Sequence, residues 1–436
     1  MLAGIANLVL AAPVLAAAGG GSGGYGGGGG GGGYSGGGGG YSGGGGSSGG
    51  ASLIEVLLIV AVVIFFVISS AFGAMVARRK LRARARKVTR AAGEAAEDDP
   101  DFAAEVVQRE AANLFRTIQD LWTKRDRGGL SRLVGADLAK EWVRRLDDFD
   151  RKGWHNVVRI DSGPTVQYVG MVNRQDDADD RVVVHLEASL TDYVEMNGCG
   201  ELMADGSSSR TRTLTEYWTL GKQGDRWILL SIEQPEEGKH QLEEEIVTTP
   251  WADVKRLRDE ALVEGAVADK VAPGFEVAEV ADLDFDGDAR AAALDLSLAD
   301  GRFAPDVLEA AARRAVAGWA EAIDGDDAAL SAVASPAAVS ALLHPGDPSG
   351  RTRLVVRGPR IRHVRIAALD AAAKPPTMTI DVDVTGTRYV QDRDTADVVA
   401  GSDAGETNFT ERWTMALDGP DAEPWRIAGV AGATTA

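Results

Sequence analysis

The sequence predicts an α+β protein hung from a single transmembrane helix, with its folded mass on the C-terminal side of that helix. Three observations predict it. An uninterrupted apolar run covers residues 53–75 and is followed at once by a basic cluster. Beyond residue 98, helical patterns come first and strand patterns later, the order of helices packed on a mainly antiparallel sheet. The last third of the chain repeats that order. At 436 residues the chain has room for two or three domains of roughly 100–200 residues each.

Residues 1–18 have an apolar core and end in Ala16-Ala17-Ala18, like a signal peptide, but lack the basic start that such a segment carries. Residues 19–51 hold most of the 54 glycines, with Tyr25, Tyr34 and Tyr41 among them. A stretch with so little apolar surface to bury is expected to stay a disordered coil. Nucleotide-loop patterns found inside it mean nothing, because such loops need a strand before and a helix after.

Residues 53–75 read LIEVLLIVAVVIFFVISSAFGAM, with Glu55 as the one charge. About 20 apolar residues at 1.5 Å each cross the hydrocarbon core of a bilayer. Residues 76–97 are a basic juxtamembrane linker holding Arg78, Arg79, Lys80, Arg82, Arg84, Arg86, Lys87 and Arg90. Basic residues beside a span stay cytoplasmic, which places the N-terminus outside and the C-terminal domains inside, as in a cell inner-membrane protein. The same eight side chains are the candidate membrane surface, for anionic head groups. The chain's net charge is −19, and after Arg90 it carries 38 basic against 64 acidic residues. A body so acidic repels a phosphate backbone, so nucleic acid is excluded as a general partner. The single cysteine, Cys199, allows neither an internal disulfide nor a cysteine metal site.

The first folded domain is expected over residues 98–235. Phe102, Val107, Ala111, Leu114, Phe115, Ile118 and Trp122 recur at helical spacing, and a second amphipathic helix follows Gly128-Gly129. The period then changes to strands over residues 156–160, 165–173, 181–196, 212–222 and 226–232, with Val182, Val184, Leu186, Ala188 and Leu190 on one face. Residues 236–301 form an acidic connector, helical in part. Residues 302–432 repeat the plan: a helix through Phe303, Leu308, Val316 and Trp319, then strands over 360–367, 377–390, 407–417 and 425–430. Thr191-Asp192-Tyr193 matches Thr387-Arg388-Tyr389, and Thr215-Glu216-Tyr217-Trp218-Thr219 matches Thr410-Glu411-Arg412-Trp413-Thr414. The Tyr-to-Glu separations are 23 and 22 residues, the spacing of two copies of one domain.

A membrane anchor, a basic stretch, a helix ending in Ile118-Gln119-Asp120-Leu121-Trp122, a Glu-x-Trp strand and a closing Trp strand resemble the translocase-subunit-like domain family. That family (Tim-forty-four-like) is named for a peripheral subunit of the mitochondrial inner-membrane import machinery, and has similarly anchored, glycine-rich bacterial members. The resemblance implies two cone-shaped domains of the nuclear-transport-factor type. It also implies binding of proteins and membrane surfaces and not catalysis.

Strand alternation puts Glu216 beside Trp218, and Glu411 beside Trp413, on apolar faces. A carboxylate there must be paired, hydrogen-bonded or protonated. Both are expected to be satisfied structurally, with a polar contact inside a pocket as the functional alternative. Trp122, Trp218 and Trp413 are more often core anchors than ligand platforms. With Tyr193, Glu216, Tyr389 and Glu411 they are the candidate pocket residues. Residues 282–288 look like the start of a calcium loop, but Ala293 stands where the bidentate Glu belongs, so no metal is assigned. The five histidines show no ligand spacing, and no nucleophile motif, catalytic residue or cofactor site is assigned. An enzyme with an acid such as Asp192 beside Tyr193 is the alternative, and a structural membrane scaffold is another. The expected partners are the membrane and a protein, hydrophobic peptide or lipid close to it.

Overall fold

The computed structural model describes residues 53–197, 200–203, 209–272, 274–280, 288–324, 327–403 and 405–435, with backbone alone for 53–71, 74, 278 and 432–435. The predicted signal peptide, the glycine-rich segment and most of the acidic turn at 282–288 lie outside these residues.

Helix α1 runs unbroken from Leu53 to Asp98. The basic juxtamembrane stretch over 76–97 is therefore helical throughout. Ala, Arg, Lys, Leu and Glu dominate it, all good helix formers, and nothing stops the helix before Pro100. Leu81, Val88, Ala92 and Ala95 recur on one side and are buried against the first folded half of the chain. Among the described residues no helix is long and apolar enough to cross a membrane. Helical backbone over 53–75 is what the structure contributes to the predicted span.

The first half then lays α2 (Ala104–Thr123), the short α3 (Arg127–Ser131) and α4 (Ala136–Lys152) on a five-stranded sheet. Its strands are β1 (Trp154–Val172), β2 (Arg181–Met196), β3 (Gly200–Met203), β4 (Thr211–Gln223) and β5 (Arg226–Glu233). The pairing order is β1-β2-β4-β5, with β3 added to β2, all antiparallel. The two strands expected over 156–173 are one. Gly163, at φ +91°, absorbs a register shift as a bulge in the gap between those two expected segments. The alternating Val182–Leu190 face is buried as expected, against Phe115, Ile118 and Trp122 of α2.

A connector follows, with a 3₁₀ turn at Glu237–Leu242, α5 (Val254–Ala268), α6 (Val277–Val280) and α7 (Ala289–Ser297). The second half adds α8 (Pro305–Asp324), α9 (Ala328–Val333) and α10 (Pro336–Leu343). Its sheet has β6 (Thr352–Asp370), β7 (Thr377–Asp392), β8 (Val398–Gly401), β9 (Thr407–Ala416) and β10 (Arg426–Thr435), ordered β6-β7-β9-β10 with β8 on β7. The two halves match in detail. Phe102 meets Trp227 edge-on at 5.4 Å, and Phe303 meets Trp425 at 5.5 Å. Asp99 and Asp300 cap the turns that carry these phenylalanines. The Gly135 amide donates to Leu229 and the Ser335 amide to Ile427, each just before a helix. Each sheet face is filled by its own helices, giving two separate cores.

Candidate binding groove and interdomain network

Along α1 the residues Gly73, Ala77, Lys80, Arg84, Lys87 and Ala91 share one face, because three- and four-residue steps keep to one side of a helix. Opposite them runs the connector from Lys239 to Thr248. The two enclose a groove of about 1080 Å³. Val76, Ala77, Ala83, Ala91, Leu242 and Ile246 give it an apolar lining. Lys80 and Lys87 stand on the helix side and Glu243, Glu244 and Glu245 on the connector side. Lys80 Nζ lies 3.9 Å from the Glu243 carboxylate. Next to the groove, Leu81 of α1 packs with Val169, Val183 and Tyr217 of the first sheet.

Seven of the eight basic residues are exposed around α1. Arg84 is not: 7% of its surface is accessible, and its Nε donates to the Val169 carbonyl at 2.6 Å. It shares the buried side of the helix with Leu81 and Val88, which removes it from any membrane surface. Burial lowers its pKa, and Glu244 opposes that shift.

None of the seven pocket candidates lines this groove. Trp122, Trp218, Glu216, Glu411, Trp413 and Tyr389 are all buried. In the first core Trp122 Nε1 donates to Asn156 (2.7 Å), whose amide donates to Asp192 (2.8 Å), itself paired with Arg212 (3.0 Å). Asp192 is thus a buried, charge-paired group. Glu216 accepts from Trp218 Nε1 at 2.8 Å, and burial pushes its carboxyl up to about 8 against that bond and the Arg212 charge. Burial also raises Glu411, offset by Arg388 at 3.3 Å. Arg388 stands where the first half has Asp192, so the two halves satisfy Glu216 and Glu411 differently. Tyr193 is half-buried, its ring under the Arg210 guanidinium at 4.7 Å.

Tyr389 sits between the halves, in a network that sequence reasoning missed. Its hydroxyl donates to Glu237 at 2.7 Å. Arg357 of β6 reaches Ser231 Oγ (3.1 Å), the Ile232 carbonyl (3.3 Å) and Glu233 (3.6 Å). Asp137 at the start of α4 takes Arg353 at 2.7 Å and Arg393 at 2.8 Å. In these contacts the cations come from the second half and the carboxylates from the first half or the connector, whereas Arg144 of the first half reaches Asp394 of the second at 2.9 Å. No sequence period marks such contacts, which join residues more than a hundred positions apart.

Asp99, Asp177 and Asp180 bring carboxylate oxygens within 4.8 Å of one another. Lys222 supplies the positive charge there: its ammonium pairs with Asp99 and lies 3.2 Å from Asp101 and 3.5 Å from Asp177. Burial pushes Asp180 up to about 6.

Residues 88–234 match the family model described as the Tim44-like domain, and so form a Tim44-like domain. The match begins at Val88, the first α1 residue in the main core. No curated protein matches the chain. One similar solved structure is the intermembrane space region of the chloroplast protein ARC6, at 12% identity and a TM-score of 0.24, covering 29% of this chain and 94% of that one. Another is an Ntf2-like protein involved in plasmid conjugation, at 9% identity and a TM-score of 0.17, covering 72% and 88%.

Proposed function

We propose, with residues 88–234 taken as a Tim44-like domain, that this chain is a membrane-tethered, non-catalytic binding protein of a protein-transport or membrane-assembly process. Its groove between α1 and the connector receives a hydrophobic segment of a partner protein. One observation carries the reading: the apolar run and the groove lie on the same continuous helix. The groove begins at Gly73 and Val76, where the apolar run ends. Residues 53–75 would span roughly 35 Å as a helix, enough for a hydrocarbon core of roughly 30 Å. With the basic cluster on the cytoplasmic side, the groove opens within a turn or two of the bilayer surface, where tethering raises the effective concentration of a membrane-inserting segment. The second half is a second copy of the same cone-shaped fold.

The seven exposed basic residues around α1 favour a second reading, in which the groove holds a lipid whose anionic head group they meet. A photo-activated crosslinking residue placed at Ala77 or at Leu242 in the full chain in cells separates the two. Protein adducts well above those from the exposed Val399 support the first reading, and lipid adducts alone support the second. No enrichment over Val399 removes both. A reporter fused after Ala436 that is active only outside the cytoplasm overturns the orientation.

A further inference from the structure

We propose that the turn at Glu237–Leu242 couples the groove to the second half of the chain through His240, which clamps both when protonated and loosens both when it loses that proton. The turn has two working sides. On one, Lys239, Leu242 and the adjoining Glu243 wall the groove. On the other, Glu237 accepts from Tyr389 of β7, and Gly358 of β6 lies against the imidazole. A Cβ at Gly358 would stand 2.6 Å from His240 Cγ, so only a residue without a side chain lets the halves approach this closely. Gly238 is pressed in the same way on the Tyr217 ring, where an added Cβ would meet Cδ2 at 2.3 Å. The turn therefore has little room to move on one side without moving on the other.

His240 is the joint. Its side chain is 10% accessible, with Nε2 3.0 Å from Glu233 and Nδ1 3.3 Å from Glu244. Glu233 continues to Arg357 in the second half, and Glu244 lines the groove beside Arg84. A file of charged groups thus runs from β6 through one imidazole to α1. The imidazole also shares its cleft with Glu236, Glu237 and Lys239 of its own turn, and with Arg357, Thr387, Asp403 and Glu406 of the second half.

An imidazolium donates from both nitrogens and satisfies both carboxylates; a neutral imidazole has one N–H and turns a lone pair to the other oxygen. Glu233 keeps the remaining donor, since it is buried and also bound by Gln241 at 3.2 Å. Burial acts to raise the Glu233 carboxyl, but His240, Arg357 and Gln241 outweigh it and bring it down to about 2. Glu233 therefore stays ionised near neutral pH, where histidine is the side chain that ordinarily changes charge. Glu244, about half exposed, is the partner released, and the groove wall goes with it. With the imidazolium's charge gone, Glu236 and Glu237 of the turn face Asp403 and Glu406 of the second half across the cleft with one cation fewer among them, and this repulsion weakens the grip of the second half.

The coupling is a property of the chain and holds whatever the groove binds, so it is tested without ligand. The full chain, with Cys199→Ser, is placed in lipid nanodiscs and carries spin labels at Ala83 and Glu245 across the groove, or at Glu195 and Val399 across the halves. Raising the pH from 5.5 to 8.5 is expected to lengthen or broaden both distance distributions, and His240→Gln to abolish both responses. Gly358→Val, which changes no charge, is expected to broaden the groove distance at pH 5.5 from the far side of the interface. Where it fails to melt cooperatively, Gly358→Ala takes its place. A pH response confined to one pair, or one that survives His240→Gln, overturns the proposal. So does a groove distance unmoved by the folded Gly358 variant.

Discussion

Glu216 holds an acid where its charge is unwelcome. It is fully buried among Trp218, Leu214 and Leu220, and the indole N–H it accepts does not match what water would give an ion. Its carboxyl titrates near 8 in the fold against an ordinary value of 4.5. The folded chain therefore binds this proton more tightly than the unfolded chain does. The stability linked to it is fully present below the ordinary value and is lost as pH rises through about 8, at no more than about 1.4 kcal/mol per pH unit. Asp180 titrates near 6 for the same reason, so most of its contribution is already gone at pH 7. Glu216→Gln keeps the shape of the neutral acid, and its thermal midpoint should fall less than the native one between pH 7 and 9. Equal falls in the two proteins would assign the dependence to other groups. Strand alternation alone placed Glu216 and Glu411 on apolar faces. It could not tell that the second is paired with Arg388 and the first has no such partner from that position, because Arg388 arrives from a neighbouring strand.

At the scale of the element, α1 decides how the apolar run and the folded body are joined. Leu81, Arg84, Val88, Ala92 and Ala95 succeed one another at steps of three and four, the spacing of a buried helical stripe. Two of these five are alanines and one is an arginine, so the stripe is faint to any reading by hydropathy, and Arg84 read with the seven basic residues around it as a membrane surface. The strands of the two sheets show the opposite case. Val182–Leu190 alternates cleanly and was legible. The start of β6 was not, since Leu354, Val355 and Val356 are buried in succession, Val355 facing away from the core formed by its neighbours. The stripe on α1 predicts a sharp contrast within one turn. Val88→Asp puts an unpaired carboxylate into the main core and should cost about 3 kcal/mol or more, read as a lowered denaturant midpoint of the full chain. Arg90→Ala, exposed two residues on, should stay within about 0.5 kcal/mol. Equal effects would mean that the helix is not packed where the structure has it.

For the whole molecule, the repeat and the interface had opposite visibility. The likeness of the halves was legible in Thr-Glu-Tyr-Trp-Thr against Thr-Glu-Arg-Trp-Thr, because each half buries a Trp of this strand, Trp218 or Trp413, in a core of its own. The interface joins Asp137, Glu233 and Glu237 to Arg353, Arg357, Arg393 and Tyr389, of which only Tyr389 stood out in the sequence, as a pocket candidate and not as an interface residue. Such a contact has lopsided energetics. Two opposite charges withdrawn from water together nearly break even, whereas removing one leaves the other buried without its counter-charge. Asp137 is the most exposed to this logic, since one oxygen, Oδ1, serves both Arg353 and Arg393. Asp137→Asn keeps the volume and removes the charge both guanidiniums face. It should destabilise the docking of the halves by roughly 3–5 kcal/mol. Adding Arg393→Met to Asp137→Asn should return part of that loss, because one of the two stranded cations is then gone. A double-mutant cycle on denaturant unfolding measures this directly. Strict additivity of the two substitutions would mean that Asp137 and Arg393 do not interact, and that the halves are held together by something other than their charges.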